Sequence, residues 1–207
     1  MIDKTIGEHD ISVLLSATSV GPEVLERLHR RFEEDAAADG ILDVAYTTID
    51  SPVGSLLLAA TERGLVRVAF AVEDHDKVLS VLANRLSPRI LRAPKRLDGA
   101  AREIEEYFAG SRKNFEVMLD LSLSSGFRQL VQRHLPDIAY GYTETYSEVA
   151  RFVGNLRAVR AVGSACATNP LPIVVPCHRV LRSDGTLGGY AGGLAVKTTL
   201  LKLEGAA

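Results

Sequence analysis

The chain has 207 residues, of which 46% are hydrophobic and 24% charged, and its formal net charge is −2. These values are typical of a globular protein of one or two domains and argue against global disorder. The sequence has no apolar run of the roughly 18 residues that a membrane-spanning helix needs, and residues 1–4 lack the basic start of a signal peptide. Two cysteines, Cys166 and Cys177, cannot form a disulfide framework or a four-cysteine zinc site. We therefore expect a cytoplasmic protein with no membrane partner.

Charge is divided unequally along the chain. Residues 121–207 carry nine lysines and arginines against five acids, a net charge of +4, whereas residues 1–120 carry 15 against 21, or −6. The split favours contact between the C-terminal part and a polyanion, although chance alone would also produce it. A short serine-containing segment, 121–126, lies where the sign changes. We divide the chain there into an N-terminal extension (1–40), an N-terminal α+β domain (41–120) and a C-terminal domain (121–207).

A helix and then a small α+β unit are predicted in the first two parts. The helix covers 22–37, because Pro22 suits a first turn and apolar residues recur behind it at helical spacing. The elements predicted after it, in chain order, are strands over 44–49, 55–60 and 65–70, helices over 73–86 and 96–108, and a strand over 115–119. We find no convergent cluster of polar residues in this half.

The C-terminal domain is predicted to be mostly helical, with helices over 127–138, 147–152 and 156–167. The last two are joined at Gly154-Asn155, which suits a helix-turn-helix. Small residues line one side of the second helix, so its backbone can approach either a DNA groove or another helix closely; they are Ala158, Ala161, Gly163, Ser164 and Ala165. Arg157 and Arg160 share a face of that helix and are either solvated or in contact with phosphates.

One short motif carries the chemistry. Pro176-Cys177-His178-Arg179 follows the apolar run 173–175, which we predict to be a buried strand. A histidine beside a cysteine can take its proton, and an arginine can stabilise the thiolate. Adjacent cysteine and histidine often occur by chance, but the preceding Asn169-Pro170-Leu171-Pro172 makes the pattern specific. Cys177 is therefore the predicted nucleophile.

The motifs of this half occur in a characteristic order: Arg160-Ala161-Val162-Gly163, Asn169-Pro170, Pro176-Cys177-His178-Arg179-Val180, the glycine-rich segment 188–193, and Lys197 through Leu200-Leu201 to Glu204. In this order and spacing they resemble the methylated-DNA–protein-cysteine methyltransferases, or O6-alkylguanine-DNA alkyltransferases. The resemblance runs from about 127 to 204 and more weakly back to about 44, where Ser51-Pro52-Val53-Gly54 and Glu106-Tyr107-Phe108-Ala109-Gly110 fit the family's N-terminal domain. Residues 1–40 lie outside it.

The resemblance implies an α+β fold class. An N-terminal α/β domain with a small antiparallel sheet, ribonuclease-H-like, would precede a mostly helical domain of the winged helix-turn-helix type. It also implies roles for five residues at the reaction centre. Cys177 would accept the alkyl group, His178 would act on it as a base through a water, and Glu204 would orient His178. Asn169 would hold the turn that carries the cysteine, and Tyr190 would donate a hydrogen bond to the departing guanine.

Five further residues would contact DNA by the same resemblance. Tyr146 would crowd the 3′ phosphate, and Arg160 would fill the stack that an extruded base leaves. Asn155, Ser183 and Arg128 match further contact positions, with the helix-turn-helix lying in the minor groove.

The implied activity is repair of alkylated DNA. The alkyl group of O6-alkylguanine, with O4-alkylthymine as a further candidate substrate, would move from double-stranded DNA to the protein's own cysteine in one irreversible turnover after base flipping. We expect no cofactor and no metal, and a monomer or several molecules along DNA. Two departures from the family pattern, Gln132 where a tryptophan is usual and Ala139 where a proline is usual, bear on packing.

Three other functions remain open from the residues. A non-catalytic sensor of alkylated DNA would not need the cysteine, and a helix-turn-helix regulator would leave the Pro-Cys-His-Arg motif unused. A cysteine hydrolase would need an oxyanion hole and would leave the helix-turn-helix unexplained.

Overall fold

The computed structural model describes residues 21–38 and 40–206, in two units. The first unit extends to Ile41 and contains helix α1 (Pro22–Ala38), which confirms the predicted N-terminal helix. Residues 1–20 of the predicted extension lie outside the described residues. The second unit begins at Leu42 and contains every other element below. In the described part of the chain, no helix has the length and apolar character needed to cross a membrane.

A four-stranded sheet and two helices form the N-terminal lobe, residues 42–120. Its elements are β1 (Val44–Ile49), β2 (Leu56–Thr61), β3 (Gly64–Phe70), α2 (His75–Arg85), β4 (Ile90–Arg92) and α3 (Asp98–Phe108). The strand order is β3-β2-β1-β4, antiparallel except for the parallel pair β1–β4. Residues 56–60 of β2 are all buried, because a strand covered on both faces is apolar throughout rather than alternating. The three predicted hairpin strands and both helices are confirmed; β4 is too short to show a period.

The core of this lobe lies between the sheet and α2. Val78 and Leu82 of α2 pack on Val44, Leu57 and Val66 of the sheet.

The predicted strand over 115–119 is wrong. Leu119 makes one isolated bridge to Leu65, and the nearby backbone donors bind a side chain instead. The amides of Glu116 and Val117 donate to the Glu103 carboxylate at 2.8 and 3.3 Å. With those donors occupied, the segment does not extend the sheet.

The C-terminal lobe, residues 121–206, is mostly helical. Its elements are α4 (Gly126–His134), β5 (Glu144–Thr145), α5 (Tyr146–Phe152), α6 (Val159–Ala167), β6 (Val180–Leu181) and α7 (Gly193–Leu203). Helices α5 and α6 form the predicted helix-turn-helix, and Gly154 turns the chain between them with φ 77°. The short strands β5 and β6 pair in parallel. The α+β fold class is confirmed, whereas α7 went unpredicted because its largely apolar sequence lacks a clear polar face.

Gln132 stands where the family usually has a tryptophan, and its side-chain amino group is hydrogen-bonded in the interior. It is 1% exposed, and its Nε2 donates to the Ala165 carbonyl at 3.2 Å. That carbonyl belongs to the last turn of α6, where helix carbonyls lack an intrahelical donor. The glutamine therefore ties α4 to the end of α6.

Candidate active site

A tight turn, not a strand, leads into the cysteine. The predicted buried strand at 173–175 is wrong, although the segment is buried as expected. Asn169 replaces strand pairing: its Nδ2 donates to the Val175 carbonyl at 2.7 Å, and its Oδ1 accepts from the Leu171 amide at 3.0 Å. Ile173 has φ 75°, a strained conformation for a β-branched residue, and Pro176 has no amide hydrogen to offer a ladder. Asn169 thus bonds to the backbone at both ends of this turn.

The nucleophile lies at the start of a short 3₁₀ helix, Cys177–Arg179. Cys177 is 3% exposed, and its Sγ accepts a hydrogen bond from Asn169 Nδ2 at 3.1 Å. Burial raises the pKa of the Cys177 thiol to about 11, although the Asn169 hydrogen bond and the Lys197 charge act in the other direction. The thiol is therefore protonated at neutral pH and needs a base to become a nucleophile.

His178 and Glu204 form the predicted pair. His178 Nε2 lies 2.8 Å from Glu204 Oε1, and both side chains are fully buried. An ionised carboxylate can only accept, so Nε2 carries the hydrogen and Nδ1 keeps its lone pair. Nδ1 is buried without a hydrogen-bond partner among the described residues. Burial lowers the pKa of His178 against the opposing effect of Glu204, so the imidazole is neutral and basic at Nδ1 near pH 7.

Arg179 binds Glu204 rather than the cysteine. Its Nε donates to Glu204 Oε2 at 2.8 Å and its Nη2 to Oε1 at 3.0 Å, while Nη1 donates to the Ile138 carbonyl. Burial alone raises the pKa of Glu204, but the hydrogen bonds from His178 and Arg179 outweigh it and lower the pKa to about 2. The expectation that Arg179 stabilises the thiolate is therefore wrong, because the nearby carboxylate binds the guanidinium.

Two participants at the site were missed from the sequence. Lys197 of α7 is 0% exposed, and its Nζ donates to the Val180 carbonyl at 2.6 Å, which places the cation that acts on Cys177. Tyr107 of α3 donates its hydroxyl to Glu204 Oε1 at 2.7 Å. Tyr107 occurs in the family-like segment 106–110, and Lys197 begins the segment that leads to Glu204. Neither residue was assigned a function from the sequence alone. The N-terminal lobe therefore contributes a polar group, contrary to the sequence expectation.

Two tyrosines approach the reaction centre from the C-terminal lobe. The Tyr190 ring lies edge-on to the His178 ring at 6.3 Å, and its hydroxyl is buried without a partner in the described part of the chain. Tyr146 begins α5 and lies against the backbone of Gly188, where an added Cβ would be 2.1 Å from the tyrosine hydroxyl. Gly188 therefore makes room for Tyr146.

Four of the five predicted DNA contacts lie at the surface, and the fifth, Tyr146, is partly buried. Arg128 on α4, Asn155 in the turn, Arg160 on α6 and Ser183 after β6 are all exposed. Helix α6 presents two different sides: Ala165 is fully buried where Gln132 reaches its backbone, and an exposed strip is lined by Arg160, Ala161, Ser164 and Ala167. The small residues thus serve internal packing on one side and leave the other open to close approach.

Both parts of the chain match a known family of proteins. A family model described as 6-O-methylguanine DNA methyltransferase, ribonuclease-like domain, matches residues 44–121, and one described as the DNA binding domain of the same proteins matches 126–206. A methylated-DNA–protein-cysteine methyltransferase of Methanosarcina barkeri is 42% identical over 77% of this chain and 96% of its own. The constitutive enzyme of Bacillus subtilis is 38% identical over 77% and 94%.

Solved structures agree with the family models. The crystal structure of Mycobacterium tuberculosis OGT in complex with DNA matches with a TM-score of 0.69 and 38% identity, covering 78% of this chain and 93% of that one. Fold and site thus define a DNA-repair methyltransferase that joins a ribonuclease-like domain to a DNA-binding domain. The chain belongs to the methylated-DNA–protein-cysteine methyltransferase family.

Proposed function

We propose that this protein moves the alkyl group from O6 of guanine in double-stranded DNA to Cys177 Sγ, and so restores the base. One observation carries the proposal: a buried cysteine lies beside a histidine whose Nε2 is held by Glu204 and whose Nδ1 has no protein partner. This is the arrangement that a nucleophile, a base and an orienting carboxylate require.

The residues divide the reaction between them. His178 Nδ1 takes the Cys177 proton through a bridging water, while Glu204 holds the tautomer and stabilises the imidazolium. The thiolate attacks the alkyl carbon; the sulfur–carbon bond forms as the carbon–O6 bond breaks, and its electron pair goes to the guanine. The imidazolium returns a proton to the departing base, to which Tyr190 donates a hydrogen bond. Because the thioether is stable to hydrolysis, each molecule reacts once.

The helix-turn-helix presents the substrate. The target oxygen lies inside the duplex, and extruding a nucleotide costs a few kcal/mol. We assign this step to Tyr146 at the start of α5 and to Arg160, which fills the vacated stack. Asn155, Ser183 and Arg128 bind the flanking backbone, and the small residues of α6 let the helix lie in the minor groove. A relative from M. tuberculosis has been solved in complex with DNA, which supports DNA as the partner.

Transfer of label tests the proposal. Duplex DNA carrying a labelled methyl group on O6 of guanine is mixed with the protein, with O4-methylthymine as a second substrate. We expect one label per molecule, located on Cys177 by peptide mass mapping. A sensor, a regulator or a hydrolase would acquire no stable label.

Two cysteine variants sharpen the test. Cys177→Ala should abolish transfer and keep DNA binding, whereas Cys166→Ala, which removes the other free buried cysteine, should keep most activity. Label on Cys166 would refute the assignment of the acceptor. We further propose that the protein acts as a monomer, which sedimentation with and without DNA would measure. We also propose that it acts in the cytoplasm, where thiols stay reduced.

A further inference from the structure

The Glu204 carboxylate is surrounded by donors from both lobes. Oε1 accepts from His178 Nε2 at 2.8 Å, Arg179 Nη2 at 3.0 Å and the Tyr107 hydroxyl at 2.7 Å. Oε2 accepts from Arg179 Nε at 2.8 Å and the Gly141 amide at 3.4 Å. Of these donors only Tyr107 belongs to the N-terminal lobe, 97 residues away in the chain.

Tyr107 is held firmly in this position. It is 0% exposed on α3, and its ring makes aromatic contacts with Phe108 at 5.4 Å, Phe115 at 5.5 Å and Tyr140 at 6.2 Å. Burial and the Glu204 charge raise the pKa of the phenol far above its ordinary value, so the hydroxyl stays a donor near neutral pH. A ring fixed on three sides leaves the hydroxyl little freedom to point elsewhere.

We propose that Tyr107 is a positioning residue for alkyl transfer: its hydroxyl fixes the Glu204 carboxylate, limits how strongly that carboxylate binds His178, and so keeps His178 ready to accept the cysteine proton. The inference rests on the proposed function of Cys177, His178 and Glu204. It gives the ribonuclease-like domain a part in the reaction rather than only in the fold.

The physical basis is competition for one oxygen. His178 and Tyr107 donate to the same atom, Glu204 Oε1. Each strong donor draws charge from that oxygen and weakens it as an acceptor for the other. A carboxylate that bound His178 alone would stabilise the imidazolium more, and a protonated imidazole cannot accept the proton of Cys177.

Other charged and titratable groups also surround His178. They are Cys177 and Arg179 on its own 3₁₀ helix, Tyr190 before α7, Lys197 on α7, and Glu204 at the end of α7. The charges of Arg179 and Lys197 also disfavour the imidazolium. Removing the Tyr107 hydroxyl leaves the side chains of Cys177, Arg179, Tyr190 and Lys197 in place and changes the acceptor strength of Glu204, so its effect on His178 has a definite sign. Without this hydroxyl we expect the pKa of His178 to rise. The transfer rate, which falls at acid pH where His178 is protonated, should then begin to fall at a higher pH; this falling part is the acid limb of the rate profile.

The test compares two buried or half-buried hydroxyls. Tyr107→Phe removes the donor to Glu204 and keeps the ring. Tyr140→Phe is the matched control, because its hydroxyl donates to the Leu203 carbonyl at 2.9 Å and not to the carboxylate. The single-turnover rate of methyl transfer from duplex DNA is measured between about pH 5 and about pH 9.

The two variants should differ in pH dependence. For Tyr107→Phe we expect the acid limb to shift upward by ~0.5–1 pH unit, with a ~3–10-fold loss of rate on the limb and recovery at high pH. Tyr140→Phe should leave the limb in place. A Tyr107→Phe profile with an unshifted limb, or with a loss equal at every pH, would overturn the proposal and leave a merely structural role.

Two further measurements separate this inference from the proposed function. Titration of His178 by ¹⁵N NMR reports its pKa without any transfer, so an unchanged His178 titration in Tyr107→Phe refutes the inference even where the protein is active. Absence of transfer by the unmodified protein refutes the proposed function instead.

Replacement of Tyr107 by 3-fluorotyrosine covers the case in which Tyr107→Phe fails to fold. It keeps the ring and the hydroxyl while making the phenol a stronger donor, so the His178 titration should shift to lower pH. A shift to higher pH, or no shift, would contradict the proposal.

Discussion

Alkylation of Cys177 should destabilise the folded protein, because the reaction adds a group to a buried sulfur. The residue is 3% exposed and follows a turn whose residues are buried from Asn169 onward. Asn169 Nδ2 lies 3.1 Å from Sγ and also holds the Val175 carbonyl at 2.7 Å. A methyl group on sulfur therefore pushes against the side chain that maintains the turn.

The size of the effect follows from two contributions. Overpacking a filled site by a methyl group costs ~1–3 kcal/mol. The weakened hydrogen bond from Asn169 to the sulfur contributes a further ~0.5–1.5 kcal/mol. For a protein of this size each kcal/mol lowers the melting temperature by ~2–4 °C, so methylation should lower it by roughly 3–18 °C. A benzyl group should lower it further.

Thermal unfolding of the unmodified, methylated and benzylated protein, freed of DNA, measures this. The Cys177→Ala variant, taken through the same incubations, is the control and should melt at one temperature throughout. If all three forms of the unaltered sequence melt together, the site has room for the alkyl group and the steric reasoning is wrong.

Two other substitutions test the DNA side of the site. Arg160→Ala should slow transfer from duplex DNA by ~10-fold or more, since the cost of base extrusion is no longer offset, and should change transfer from free O6-benzylguanine much less; equal slowing on both substrates would contradict a role in extrusion. Gly188→Ala should slow transfer from duplex DNA by ~10-fold, because the new Cβ would lie 2.1 Å from the Tyr146 hydroxyl. Gly189→Ala, where nothing lies within 4 Å, should behave as the unaltered protein, and equal rates for the two variants would refute the argument.

The N-terminal lobe supports the site at more places than Tyr107. The Val68 amide of β3 donates to the Pro170 carbonyl at 2.9 Å, and the Arg67 guanidinium reaches the same oxygen at 3.2 Å. The Phe70 ring at the end of β3 lies 5.6 Å from the Tyr190 ring and under the backbone of Gly192. The last part of one strand thus supports both segments that flank the cysteine.

The sequence by itself determined the elements with a clear period and the residues with distinctive chemistry. Strand-like composition predicted β1, partial alternation predicted β3, and apolar residues spaced among polar ones predicted α2 and α3. The Pro-Cys-His-Arg motif was identified from residue type and order, whereas Glu204 was assigned through the family resemblance; the structure places His178 Nε2 and Glu204 Oε1 2.8 Å apart. Local signals of this kind need no knowledge of distant residues.

Only the tertiary structure decided which hydrogen bonds form between residues that are far apart in the chain. The run at 173–175 reads as a strand, yet Asn169 and the backbone turn satisfy its polar groups, so it never pairs. Arg179 looks like a partner for Cys177 until Glu204, 25 residues later, folds beside it. Tyr107 meets the same carboxylate across 97 residues. Hydrogen bonds in a buried site depend on distance in space, and only the packed lobes bring these atoms together.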